Sequence, residues 1–185
     1  TIPVALANKM GAQTCYNFLT EKLGLKYLTE QDINLSSMGL GGTSGGVTTL
    51  QSAAAYAIFG NGGRYYEPTF YTKVTDQKGN IVLEKNTKPV MAVSSDTATV
   101  MNKMLQNVIY GSQGTGTSVA SSVPKMKLFG KTGTSSSDND KWFVGGSPYY
   151  VVSSWCGYET MQKMPSANLG IAKSQWANVM SKIHK

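Results

Sequence analysis

Residues 128–158 hold three short strand-forming stretches whose connections are too tight to admit a helix, and this limits the chain to an antiparallel arrangement. Residues 126–134 and 142–147 flank a polar run ending in Asp138-Asn139-Asp140, and 142–147 turns into 150–158 at Pro148. Parallel neighbours would need a crossover of about a dozen residues or more, so the spacing predicts a three-stranded meander. Helical patterns lie on both sides of it in the sequence. Helices packed on an antiparallel sheet make an α+β fold, with the strand at 126–134 as a candidate edge. Three strands are a thin sheet for this many apolar residues, which predicts further strands and helices beyond this sequence.

The first strand ends in Lys131-Thr132-Gly133-Thr134. At an edge, Gly133 lets an extended ligand approach closely enough to share the backbone N–H and C=O groups. Lys131 adds a positive charge, and the threonine hydroxyls at i and i+2 share one face of the strand. Such a surface suits a peptide ending in a carboxylate, and a fixed backbone N–H there suits developing negative charge. In a chain this rich in Lys, Thr and Gly the tripeptide alone is a weak signal, and a solvated strand end is the plain alternative.

Composition excludes several classes. At 185 residues, with 41% hydrophobic residues, the chain can bury about 70% of its unfolded surface as one domain. No apolar run approaches the roughly 20 residues that span a bilayer, which implies no membrane contact by this segment. The net charge of +7 is spread along the whole chain with Arg64 as its only arginine, not gathered on one element with aromatics, which argues against nucleic acid. One histidine, His184, and two separated cysteines, Cys15 and Cys156, cannot supply a usual metal-ligand set, and no other cofactor is implied. The cysteines read as buried free thiols, with a disulfide as the alternative.

Along the chain, residues 1–23 read as one helix closed by Gly24, and Pro3 in its first turn suggests that the chain enters from sequence further upstream. Residues 25–47 read as connection. Thr48 or Thr49 caps a helix over 50–59, Asp76-Gln77-Lys78-Gly79 turns a small hairpin between 69–75 and 80–85, and Ser94 or Ser95 caps a helix over 96–109. Met101, Met104, Leu105 and Val108 form that helix's core stripe. A Gly/Ser/Thr loop fills 111–124, and Ala172, Trp176, Val179, Met180 and Ile183 mark a closing amphipathic helix.

A Ser-His-Asp triad is ruled out by the single histidine at a surface-like helix end, and Asp138 and Asp140 read as solvated turn residues rather than paired acids. Ser122-Val123-Pro124-Lys125 has the form S-x-x-K, but the lysine must stand one helical turn from its serine, and Pro124 breaks that turn. Ser137-Asp138-Asn139 has the form S-D-N, yet it follows Gly133 too closely to approach the strand from across a cleft.

The wider sequence is more specific. Leu40-Gly41-Gly42, Gly46-Val47-Thr48-Thr49-Leu50, the run from Ala53 through Phe59 to Gly60-Asn61-Gly62-Gly63, Tyr66, Pro68, Gly130-Lys131-Thr132-Gly133-Thr134, and Asp140 with Trp142-Phe143-Val144-Gly145 occur in this order. Together they resemble the transpeptidase domain of class A, bifunctional penicillin-binding proteins, over residues 1–182. The resemblance implies the penicillin-binding protein/serine β-lactamase-like fold, an antiparallel sheet flanked by helices. Residues 1–185 match its C-terminal part, because the family places its S-x-x-K and S-x-N motifs before the helix that opens at Thr1-Ile2-Pro3.

The resemblance further implies a serine D,D-transpeptidase or carboxypeptidase that cross-links peptidoglycan stem peptides from a D-Ala-D-Ala donor through an acyl-enzyme, and that β-lactams acylate. Lys131, Thr132, Gly133 and Thr134 are then substrate-binding, with the Thr134 N–H as half of the oxyanion hole, and Gly114-Thr115-Gly116-Thr117 borders the cleft. No residue here matches the nucleophile or its lysine, so no catalytic residue is assigned and the chain alone is expected to be inactive. Lys141 stands where the family often has a small residue. The implied partners are stem peptides, β-lactams and the N-terminal part of its own domain. The implied location is the outer face of the cell membrane, with the parent anchored by a transmembrane helix and a glycosyltransferase domain upstream. A non-catalytic peptide-binding module, or a β-lactamase or β-lactam sensor of the same superfamily, are the alternatives. The helix and Asn-Gly-Gly stretch match the transpeptidases more closely.

Overall fold

The computed structural model describes residues 1–185, apart from the side chain of Ala167. The element order is α1 (Ile2–Met10), α2 (Ala12–Asn17), α3 (Leu35–Leu40), α4 (Thr49–Ala57), β1 (Arg64–Tyr65), β2 (Lys73–Thr75), β3 (Ile81–Glu84), β4 (Val90–Met91), α5 (Ser95–Tyr110), β5 (Phe129–Thr134), β6 (Lys141–Gly146), β7 (Val151–Cys156) and α6 (Ile171–Ile183). The sheets run β5-β6-β7, β2-β3 and β1-β4, all antiparallel. The expected meander is present, and β5 is at its edge.

Local chemistry sets most boundaries. Thr48 caps α4 by accepting from the Gln51 N–H, and Gln51 reaches back to the Thr48 N–H, a reciprocal capping box. Ser94 caps α5 through the Thr97 N–H. In the β2–β3 turn, the Asp76 carboxylate accepts from the N–H groups of Lys78 and Asn80.

The predicted helix over residues 1–23 is not continuous. Gly11 takes a φ of 87°, which breaks the helix between α1 and α2, and the last turn, Phe18–Lys22, widens into a π-helix. The stretch 25–47 is not plain connection either, since Asn34 caps α3 there. Asp32 pins this stretch from within. Its carboxylate accepts from the Thr29 and Ser44 N–H groups at 2.9 and 2.7 Å, and from both hydroxyls.

Two faces of the main sheet are covered differently. Leu128 and Phe143 point to one face, where they pack with Ile109, Val119, Val123, Ala172, Trp176 and Met180. Phe143 and Trp176 meet edge to face at 5.0 Å, and the Trp176 indole N–H is shared between the carbonyls of Gly145 and Val152. Helix α4 packs on β6 and β7 from the other face, its C-terminal end against Phe129. A second cluster of Leu23, Ile58 and Tyr65 lies beyond that end.

Two readings of apolar faces are corrected, and two of single side chains. Met104 is 58% exposed, and the buried positions of α5 are Ala98, Leu105 and Ile109. Val179 and Ile183 are also exposed, so α6 buries only its narrower Ala172, Trp176, Met180 stripe. The cysteines are free thiols but only partly buried. His184 is not a bare helix end: its Nδ1 bonds the Met180 carbonyl and its Nε2 meets the Ser147 hydroxyl, both at 2.8 Å. The carbonyl can only accept, so Nδ1 carries a proton, and in the neutral ring the Ser147 hydroxyl then donates to Nε2.

Candidate active-site wall

The K-T-G-T run occupies the last four residues of β5, where the structure brings all four together. Register pairs Lys131 with Val144, Thr132 with Phe143, Gly133 with Trp142 and Thr134 with Lys141. Because side chains alternate along a strand, Thr132 and Thr134 share the Phe143 face while Lys131 projects from the opposite one. The charge and the hydroxyls therefore flank the strand instead of sitting side by side.

Backbone groups alternate too. The Ser135 N–H donates to the Asp140 carbonyl, which continues the β5–β6 ladder. Lys131 and Gly133, in phase with Ser135, thus direct their N–H and C=O groups at β6, and those of Thr132 and Thr134 lie along the outer edge. No strand pairs with that edge among the described residues. Lys131 Nζ donates to the Thr132 carbonyl at 3.0 Å, folded over the same edge.

The start of β5 is anchored. The Tyr110 hydroxyl accepts from the Leu128 N–H at 3.1 Å and donates to the Met126 carbonyl, and Lys127 lies over the Tyr110 ring at 5.1 Å. The loop after α5 then folds back along the strand. Gly116 N–H bonds the Val108 carbonyl, and Thr115 meets Thr132 hydroxyl to hydroxyl at 2.7 Å. The G-T-G-T loop thus borders the K-T-G-T strand.

The motif look-alikes are kept apart from this wall. The Ser122 hydroxyl donates to the Val119 carbonyl in a non-helical turn, and Lys125 takes a φ of 69°. Ser137 and Asp138 lie in the β5–β6 connection. Both acids lie in that turn and stay partly exposed, as a solvated turn implies, but each also holds a partner: Asp138 pairs with the buried Lys141 at 2.6 Å, and Asp140 accepts from the Trp155 indole N–H at 2.9 Å. The hydrogen bond from Lys141, and then its charge, hold the Asp138 carboxyl below the usual carboxylate range. Sequence reasoning missed Thr115's partner, Lys173, which donates to the Thr115 carbonyl, and the pairing of Lys141. The only signals were the G-T-G-T spelling and a lysine in an otherwise apolar strand.

Comparison with known proteins agrees with the architecture. A sequence profile of the penicillin binding protein transpeptidase domain matches residues 4–181. Penicillin-binding protein 1A of Clostridium botulinum (strain Langeland) is 32% identical over 183 residues, which is 99% of this chain and 22% of that protein. Penicillin-binding protein 4 of Bacillus subtilis is 32% identical over 160 residues, 86% of this chain and 25% of that protein. Among solved structures, penicillin-binding protein 1A from Haemophilus influenzae superposes with a TM-score of 0.76 at 20% identity, covering 98% of this chain and 32% of that one. The D,D-transpeptidase domain of a peptidoglycan glycosyltransferase from Eggerthella lenta does so with a TM-score of 0.67 at 23% identity, covering 98% and 50%. The chain thus spans about a fifth to a quarter of the length of these curated relatives, and over nearly all of its own length it belongs to the penicillin-binding protein transpeptidase domain family.

Proposed function

We propose that residues 1–185 are the C-terminal part of a serine D,D-transpeptidase domain. It cross-links peptidoglycan stem peptides through an acyl-enzyme and is acylated by β-lactams. The observation that carries this reading is the free outer edge at Thr132 and Thr134, with the Lys131 ammonium folded over it. An extended D-Ala-D-Ala terminus adds alongside such an edge as a strand, and its carboxylate takes the hydroxyls and the ammonium. The Thr134 N–H is half of the oxyanion hole, and each such donor is worth about 2.7–4 kcal/mol of transition-state stabilisation.

The nucleophile and its lysine come from outside these residues. Ser122 is engaged with Val119 in a turn that cannot place Lys125 one helical turn away. Ile2, Leu6 and Met10, exposed along one side of α1, are where the rest of the domain packs. The intact protein works on the outer face of the membrane, where its substrate is. None of the described helices is itself long and apolar enough to cross a membrane.

Incubation with a labelled penicillin tests this. The 185-residue chain forms no covalent adduct, and a longer chain restoring the preceding sequence does. An adduct on any residue between Thr1 and Lys185 overturns the assignment of the nucleophile. Continued silence of the longer chain favours a non-catalytic peptide-binding module, and rapid turnover of the penicillin favours a β-lactamase.

A further inference from the structure

Among the described residues the Thr134 end of β5 has no outer strand to hold it, yet it carries the N–H and hydroxyl on which the transpeptidase reading depends. What lies directly across the ladder is Lys141, its register partner on β6. Lys141 is 7% exposed, and a buried ammonium requires a partner. The partner is the Asp138 carboxylate in the turn between the two strands, 2.6 Å away.

That turn is held in an uncommon shape. Ser137 and Asp138 both take left-handed φ values, 60° and 61°, although neither is glycine. Such conformations persist where the surroundings over-determine them. The ties come from four directions: Lys141 on the Asp138 carboxylate, the Met164 N–H on the Asp138 carbonyl at 3.1 Å, the Asp140 N–H on the Ser135 hydroxyl at 2.8 Å, and the Trp155 indole on Asp140. Lys141 is at once a tie on the turn and the residue facing Thr134.

We infer that Lys141 and Asp138 are positioning residues for the acyl transfer: paired beneath the β5–β6 turn, they fix the Thr134 end of the edge strand without touching the ligand. This rests on the transpeptidase reading of the edge. Releasing the pair lets the turn relax and Thr134 drift, and a displacement of about 1 Å at a reacting centre can cost about a hundredfold in rate. The other cation acting on Asp138 is Lys163, from the segment after β7, and Cys156 is the register partner of Lys141 on β7. Among the described residues Asp138 forms an ion pair with Lys141 and none with Lys163, so Lys163 does not replace the Lys141 contact.

The test uses the longer, penicillin-labelling chain with K141M, D138N and K141R. Three quantities are read: the second-order acylation rate, the melting midpoint, and amide hydrogen exchange at Gly133 and Ser135, whose N–H groups face β6. K141M and D138N are expected to acylate about tenfold more slowly and to exchange faster at those two amides, while K141R stays within about threefold of the unaltered chain. Unaltered acylation in K141M and D138N overturns the proposal, as does a rate that falls only in step with the melting midpoint in all three variants. If K141M does not fold, D138N against K141R decides alone. If the unaltered longer chain does not label, the transpeptidase reading fails separately, and the exchange at Gly133 and Ser135 still judges the positioning role: unchanged protection overturns it.

Discussion

The hydroxyls of Thr115 and Thr132 lie 2.7 Å apart and tie the glycine-rich loop after α5 to the second residue of the K-T-G-T run. Lys173 on α6 donates to the Thr115 carbonyl at 3.1 Å, so the tie extends from the closing helix to the edge strand. The loop is thereby part of the wall and not a cover that merely passes by.

Replacing Thr115 with valine keeps its shape and removes the hydroxyl. A neutral hydrogen bond of this kind contributes about 0.5–1.5 kcal/mol, and the partly exposed setting puts T115V at the low end. The melting midpoint should therefore move little. The acylation rate of the longer chain should fall several-fold, because Thr132 is left to choose its own rotamer. A rate unchanged in T115V would show that the loop does not orient Thr132.

Much of this fold was legible because it is written locally. The meander, the Thr48 and Ser94 caps and the Asp76 turn each depend on residues within a few positions of one another. The misses are of another kind. Gly11 sat inside an unbroken apolar pattern, and only its positive φ shows the break. The exposure of Met104 follows from what packs on α5, which periodicity does not carry. The two-residue pairing of β1 with β4 is too short for a strand signal. At the proposed site, the K-T-G-T run was readable as the end of an edge strand, whereas the contacts around it, Thr115 to Thr132 and Lys141 to Asp138, are made by tertiary folding or within the turn.

Trp176 should be the most sensitive core position. It is fully buried, stacks edge to face on Phe143, and its N–H serves the Gly145 and Val152 carbonyls. W176A should cost about 3–5 kcal/mol. W176F keeps most of the ring and removes only this extra donor from carbonyls that retain their ladder partners, which costs about 0.5–1.5 kcal/mol. Urea unfolding of the two variants separates packing from hydrogen bonding, and a W176F as stable as the unaltered chain would refute the role given to the N–H.

Gly133 has a structural reason to be glycine besides any ligand. A Cβ built there would lie 2.9 Å from the Cβ of Trp142, its register partner, closer than such atoms pack. G133A should thus destabilise the chain by about 1–3 kcal/mol with no ligand present. If the melting midpoint does not move while acylation falls, ligand approach alone explains the glycine.

Asp32 gives the chain an acid limit. Its carboxyl sits below the ordinary value of 3.8, first because the Thr29 N–H and then the Ser44 N–H bond the ionised form. A group whose folded pKa is depressed adds stability that is complete above its unfolded value and is lost as pH falls through the folded one. Melting midpoints of the unaltered chain and D32N should therefore differ by a constant amount from neutral pH down to about 4, then converge under stronger acid. The asparagine keeps one acceptor oxygen for either Thr29 or Ser44 but not for both, so at neutral pH the variant is the less stable of the two. Convergence already near pH 6 would mean that a different group controls the limit. A difference that does not shrink at all as pH falls below the ordinary carboxylate value would mean that the carboxylate's charge is not what holds residues 29–44 together.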